Sequence, residues 1–362
     1  MNKLEQARTN INTIDEKMAK LFEERMKCVE DVISYKLENN LPILDTNREN
    51  LVIEKNLSYI KEDKYKEYYI SYIKDVMAIS RKYQKGLINK DVIGYGGTKG
   101  AFSHIAASYI FPYNKQKDYK SFEEVFIAIE EGEIERGVIP FENSYTGEVG
   151  EVLDLLNKYD VFIQQIYDLK VNQNLLVVKG TKYEDIKQVY SHPQAISQSA
   201  KFLKGRSFEI IPYGNTALAA KYVSETNDKS KAAIASKETA ELYDLEILEE
   251  NINTSSDNTT RFIVISKNNS CNGNRFNLLF TLKHDAGQLA KVMQVIKEKG
   301  FNMESIKSRS LHNEPWKYYF YVEIVGELQS INAKALIEEL KVTCEKIKVL
   351  GSYTLNDKKE ED

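Results

Sequence analysis

A cation placed on an apolar stripe is the feature of this chain that most needs a partner. Leu4, Ala7, Ile11, Ile14, Met18, Leu21, Phe22, Val29 and Val32 recur at three- and four-residue steps, the spacing of one helical face. Arg25 falls on that stripe, Lys36 continues the flank of Phe22 and Val29, and Arg8 lies near the same flank. A buried cation demands an acid or an anionic ligand, because desolvating it alone is costly. Downstream, Ser80 and Gln84 extend the stripe of Tyr69, Ile73, Val76 and Met77. Between them Asp45, Arg48 and Glu49 cluster where a second helix begins, and acids there suit the positive end of the helix dipole. Taken singly, each has a bland reading as a snorkelling or capping side chain. Together, three cations and several neutral donors converging inside a helical bundle describe a pocket for a small dianion.

A second group of candidates sits on turns. Gly94-Tyr95-Gly96-Gly97-Thr98-Lys99-Gly100 joins a strand pattern to a helix begun by Ala101-Phe102-Ser103-His104, and free backbone N–H groups at such a junction cradle anions. The run matches neither the GxxxxGK[ST] phosphate loop nor, cleanly, a dinucleotide fingerprint. Pro140 to Gly147 (PFENSYTG), Ser191-His192-Pro193-Gln194 and Asn258-Thr259-Thr260-Arg261-Phe262 place further hydroxyls and amides at strand ends. Simple strand propensity accounts equally well for Thr259 and Thr260. His104 and His192 adjoin turns and are read as satisfying backbone groups.

Those residues have to be positioned by three kinds of segment. Residues 4–36, 46–61 and 65–85 read as helices, with Gly86 as a C-terminal stop. One helix is too long for its partners, so a helical dimer is expected. From Asp91 short apolar runs at 92–93, 137–139, 175–178, 188–190, 209–212, 232–235 and 261–265 alternate with helical stretches, giving two small α/β lobes up to about residue 267. Residues 268–274 (KNNSCNG) read as a linker. The strand, helix, strand, strand, helix, strand order of 276–282, 286–299, 302–309, 317–325, 331–345 and 347–353 suggests a ferredoxin-like βαββαβ sandwich, and DKKEED closes the chain as a solvated tail.

Composition narrows the partners. The 362 residues are 42% hydrophobic and 29% charged with a net charge of −4, a globular balance with no basic field for nucleic acid. Cys28, Cys271 and Cys344 are few and scattered, which fits a reducing compartment. His104, His192, His284 and His312 show no ligand spacing, so no metal and no cofactor is expected. No signal core or apolar span is present, and a cytoplasmic protein with no membrane partner is expected.

The first 88 residues resemble the all-helical chorismate mutase domain. The resemblance implies that Arg8, Arg25, Lys36, Asp45, Arg48, Glu49, Ser80 and Gln84 bind chorismate and prephenate. Arg8 and Arg25 would hold carboxylates, Lys36 and Gln84 the breaking ether oxygen and Glu49 the ring hydroxyl, with Arg8 serving the partner's pocket in an interlocked dimer. Residues 91–267 resemble prephenate dehydratase through GTKGAFSHIAA, PFENSYTGEV, SHPQAISQ and TTRF in that order. This implies a periplasmic-binding-protein-like pair of lobes, an essential Thr260, and substrate positioning by Asn143, Ser191, Gln198 and Arg261, with Ser103 and Phe262 nearby. Residues 276–353 resemble an ACT regulatory domain, which implies an L-phenylalanine effector bound near Gly287, Leu289 and Asn302. Two stretches depart from that family: Gly287-Gln288-Leu289 replaces the usual GAL, and Lys307-Ser308-Arg309-Ser310 replaces ESRP, reversing a charge at Lys307 and freeing the turn at Ser310.

The expected protein is a bifunctional enzyme that rearranges chorismate to prephenate and converts prephenate to phenylpyruvate, as a homodimer or higher homo-oligomer. The alternatives are a lone dehydratase with a helical dimerisation arm and a non-catalytic metabolite sensor.

Overall fold

The computed structural model describes residues 2–39, 41–88, 91–255, 257–269, 272–311 and 316–355. Cys271, His312 and the DKKEED tail lie outside the described residues. Cys28 is exposed and Cys344 buried, both free thiols. Two compact units make up the chain, residues 1–90 with 113–115, and the remainder.

The first unit is helical: Lys3–Glu38, Thr46–Leu57 and Asp63–Ile88. Asn2 starts the long helix with a capping box, its side chain accepting the Glu5 N–H at 2.8 Å while the Glu5 carboxylate accepts the Asn2 N–H at 2.9 Å, and the 36 residues that follow contain no proline or glycine. Gly86 does not stop the third helix, which runs on to Ile88; one interior glycine costs only about 1 kcal/mol. The long helix meets the third helix through its C-terminal half, where Val29 and Ile33 are buried. Its other half leaves Leu4, Ile11, Ile14 and Leu21 between 54% and 62% exposed.

The second unit starts with two α/β lobes. The first lobe's sheet runs Lys115–Tyr119, Val92–Gly96, Arg136–Asn143, Thr259–Ser266 and Phe162–Lys170, with Gly147–Glu148 paired on Arg136–Asn143. The second lobe's sheet runs Glu246–Glu249, Asn174–Val177, Lys231–Ala235, Gln188–Ser191 and Glu209–Pro212. The chain leaves the first sheet after Lys170 and re-enters it at Thr259, so two crossings join the lobes. Helices pack both sheets, and central strands such as Lys231–Ala235 are consequently near-continuous apolar runs.

The third segment forms an antiparallel sheet in the order Asn302–Ser310, Tyr318–Val325, Arg275–Thr281, Lys346–Tyr353, with helices Gln288–Glu298 and Ile331–Thr343. Counted within the segment, this is second, third, first, fourth: a ferredoxin-like topology. One face packs its helices through Phe276, Leu278, Phe280, Val292 and Leu336. From the other face Leu279, Tyr319, Tyr321, Leu350 and Tyr353 join the same core as Ile139, Leu153, Ile163 and Ile265 of the first lobe. At the seam Gly351 has φ +137° and a Cβ there would collide with the Ile163 carbonyl. Gly351→Ala is expected to destabilise the second unit by about 3 kcal/mol through backbone strain and overpacking, read as a lower midpoint in denaturant titration of that unit's fluorescence.

Candidate active sites

In the helical unit, burial brings part of the expected set together. Ser80 and Gln84 are buried on the third helix beside Val76 and Met77. The half-buried Arg25 donates from its guanidinium to Ser80 Oγ, and Ser80 Oγ donates to the Val76 carbonyl at 2.8 Å. Lys36 Nζ donates to the Ile43 carbonyl at 2.6 Å and borders a cavity of about 310 Å³ with Asp45. The Asp45 carboxylate accepts the Arg48 N–H at 3.0 Å and caps the second helix, so its role here is local; Arg48 itself is exposed. Glu49 pairs with Arg81, a residue absent from the expected set; its place next to Ser80 was the available signal. Arg8 is exposed and has no hydrogen-bond or ion-pair partner among the described residues. Arg25 lies seventeen positions further along the helix, about 26 Å at 1.5 Å per residue. The two guanidinium groups of one chain therefore do not share a pocket.

The second unit holds a cavity of about 360 Å³ where the two lobes meet, lined by Ser103, Asn143, Thr146, Thr260 and Phe262 of the first lobe and by Gln173, His192, Gln194, Gln198, Asn215 and Thr216 of the second. Among the described residues lining it there is no lysine or arginine. An anion there meets two helix N-termini instead, Phe102–Ile110 and Thr216–Thr226, whose free N–H groups and dipoles favour negative charge.

Asn143 fixes the centre of this cavity. Its Oδ1 accepts the Tyr145 N–H at 3.0 Å and the Thr146 N–H at 3.1 Å, which orients the amide unambiguously. Nδ2 then donates to Asn258 Oδ1 at 2.8 Å and to Thr260 Oγ at 2.9 Å. Since Thr260 Oγ accepts from Asn143, its own proton is left to point elsewhere, and the residue lines open space.

Two expected residues lie away from the cavity. Ser191 is fully buried and donates from Oγ to the Ile234 carbonyl at 2.6 Å, which is a scaffold role. Arg261 alternates with Thr260 and Phe262 along its strand and so faces the opposite side, where Nε meets Asp168 Oδ1 at 3.0 Å and Nη2 meets Asp168 Oδ2 at 3.3 Å. That carboxylate raises its pKa further above the ordinary range. His104 and His192 accept the Gly100 and Gln194 N–H groups at Nδ1, at 3.2 and 3.3 Å, and burial lowers both pKa values. Each is a neutral imidazole carrying its proton on Nε2. Gln173 was not anticipated: it is 1% exposed, its Nε2 reaches Gln198 Oε1 at 3.4 Å, and its Oε1 has no partner among the described residues. A polar pair just before the Leu175 to Val178 run was its trace in the sequence.

In the third segment a cavity of about 230 Å³ is lined by His284, Asp285, Gln288, Leu289, Trp316 and Phe320 among others. Leu289 reaches it, Gly287 precedes it with φ +82° at the helix start, and the exposed Asn302 does not line it.

Residues 7–85 match the family model of chorismate mutase type II, and residues 93–270 match that of prephenate dehydratase. The chain is 33% identical over 365 residues to the bifunctional chorismate mutase/prephenate dehydratase of Buchnera aphidicola subsp. Acyrthosiphon pisum, covering 96% of this chain and 95% of that one. The chain belongs to the bifunctional chorismate mutase/prephenate dehydratase family. It is an enzyme with both activities, serving phenylalanine biosynthesis. Among solved structures, prephenate dehydratase from Staphylococcus aureus superposes with TM-score 0.63 at 28% identity, covering 72% of this chain and 99% of that one. Prephenate dehydratase from Arthrobacter aurescens in complex with L-Phe shares the fold with TM-score 0.68 at 22% identity, covering 74% of this chain and 91% of that one. No described helix of this family member is long and apolar enough to cross a membrane.

Proposed function

We propose that the two reactions run on residues 1–88 and 91–267 respectively, with Thr260 as proton donor in the second. The observation that carries this reading is the Asn143 amide, pinned by two backbone N–H groups so that it donates to Thr260 Oγ. A hydroxyl that accepts a hydrogen bond becomes a better donor, which partly offsets the poor acidity of an alcohol. In the reaction the bond from the ring to its carboxylate breaks, and its electron pair enters the ring. The bond to the ring hydroxyl breaks with its pair, one proton joins the leaving oxygen, and carbon dioxide, water and phenylpyruvate result. Thr260 supplies that proton and takes one back from solvent in each turnover; Asn143 and Gln198 position the substrate, Ser103 and the N-termini at Phe102 and Thr216 receive carboxylates, and Phe262 walls the ring. Ser191 supports its strand, and Arg261 acts from behind.

The mutase step is a pericyclic rearrangement that needs positioning and charge but no acid, base or covalent intermediate. Arg25, Lys36, Ser80 and Gln84 hold chorismate, Asp45 and Arg48 shape the adjoining loop and Glu49 takes the ring hydroxyl. Arg8 is supplied by a second copy of the chain. The separation of about 26 Å along one helix and the exposed Leu4, Ile11, Ile14 and Leu21 support an interlocked homodimer.

The segment 276–353 is an ACT domain whose effector is L-phenylalanine, taken near Gly287 and Leu289; its ferredoxin-like order and the small cavity beside Leu289 support this. The test is to supply chorismate to the purified protein and follow phenylpyruvate, with and without phenylalanine. Phenylpyruvate formation suppressed by phenylalanine is expected. Turnover indifferent to phenylalanine, with no heat of binding, would sink the effector assignment while leaving the two activities.

A further inference from the structure

The strand Asn302–Ser310 carries Lys307-Ser308-Arg309-Ser310, and two of its side chains end on the first lobe. Lys307 Nζ lies 2.7 Å from Glu142 Oε1 and 3.9 Å from Glu148 Oε2, with the Phe141 ring centroid 5.9 Å away; the lysine side chain is 11% exposed. Arg309 meets Asp154 through two bonds, Nε to Oδ1 at 3.0 Å and Nη2 to Oδ2 at 2.7 Å, and Glu148 lies 3.8 Å from it. Its guanidinium rests on Gly150, where any Cβ would collide with it.

Glu142 and Glu148 stand directly opposite each other in the antiparallel pair formed by Arg136–Asn143 and Gly147–Glu148. Like charges in that position destabilise the pairing, and a cation between them reverses the sign. Lys307 occupies that place. The turn between the two glutamates presents Asn143 and Thr146 to the cavity on its other side, and Asn143 is the group that holds Thr260.

We propose that Lys307 is a positioning residue for the dehydratase reaction, its ion pairs to Glu142 and Glu148 holding the 142–148 turn from behind so that Asn143 stays in register with Thr260. The proposal rests on the reading of this cavity as the dehydratase site. An acid at position 307 would add a third negative charge beside Glu142 and Glu148, so the turn depends on the cation that stands there.

The test uses full-length protein and supplied prephenate, with Lys307→Glu and Glu142→Lys made singly and together and chorismate rearrangement assayed on the same preparations. Each single change is expected to lower dehydratase kcat by about 10- to 100-fold, as small misplacements do. KM should stay within about threefold, and the mutase rate should be unchanged. The exchanged pair should recover most of the lost kcat. Lys307→Met keeps the aliphatic stem over Phe141 and removes the charge; with an unaltered melting temperature it should still lose about tenfold in kcat. Parental kcat in Lys307→Met, or an exchanged pair no better than the single variants, overturns the proposal. Thr260→Ala run alongside separates the two ideas: activity surviving that change discredits the site reading, whereas the exchange experiment judges Lys307 alone.

Discussion

Thr260→Ala lowers the dehydratase kcat by about 10²- to 10⁴-fold, the range spanned by removing a positioned proton donor, while chorismate continues to rearrange at the parental rate. The geometry makes the loss specific. Asn143 Nδ2 keeps its bond to Asn258 Oδ1, so the cavity wall survives and substrate still binds; KM should change little, and prephenate should accumulate when chorismate is supplied. Thr260→Ser restores a hydroxyl at the same distance from Asn143 and should recover much of the rate, limited by the freer rotation of a side chain without the β-methyl. Steady-state kinetics on supplied prephenate decides it. A dehydratase that tolerates alanine at 260 would show that the proton comes from elsewhere, with the Nε2–H of His192 the next group to examine.

The second large effect concerns the other reaction. Arg25→Ala is expected to reduce mutase kcat/KM by about 10²- to 10³-fold, comparable to losing one preorganised charge-stabilising donor, with no change in turnover of supplied prephenate. Ser80 retains its bond to the Val76 carbonyl, so the helix pair should stay folded. Arg25→Lys keeps the charge but loses the planar fork and should recover only part of the rate. Measuring both half-reactions in each variant checks this; parallel loss of both activities in a folded protein would overturn the separation of sites.

Much of the architecture was legible because period and punctuation agreed. The helix stripe from Leu4, the strands at 209–212 and 232–235 and the six elements of the third segment follow directly from apolar spacing. Strand Phe162–Lys170 was not legible: Gln164, Gln165 and Asp168 interrupt its apolar pattern, because it is an edge strand on which Gln165 and Asp168 stay exposed and Asp168 holds Arg261. Gly86 misled as a stop signal because packing of the stripe outweighs one glycine. At the sites, residue type was readable and direction was not. Thr260, Asn143 and Gln198 reach the cavity, whereas Ser191 is sealed behind its strand. Arg261 could have been excluded by strand alternation once Thr260 and Phe262 were placed together. The hydrogen bond onto Thr260 was invisible in sequence because Asn143 lies 117 residues away, and only the antiparallel pairing of their strands brings them to 2.9 Å.

The seam at Gly351 also bears on how the molecule comes apart. Because Leu279, Tyr321 and Leu350 are filled into the same core as Ile139 and Ile163, the C-terminal sheet is not an appendage that can be trimmed away. A chain ending at 267 would lay bare an apolar wall, and its catalytic lobe would be prone to aggregate. Lobe and sheet should melt in one cooperative step, so whatever stiffens the C-terminal sheet also stiffens the turn that carries Asn143.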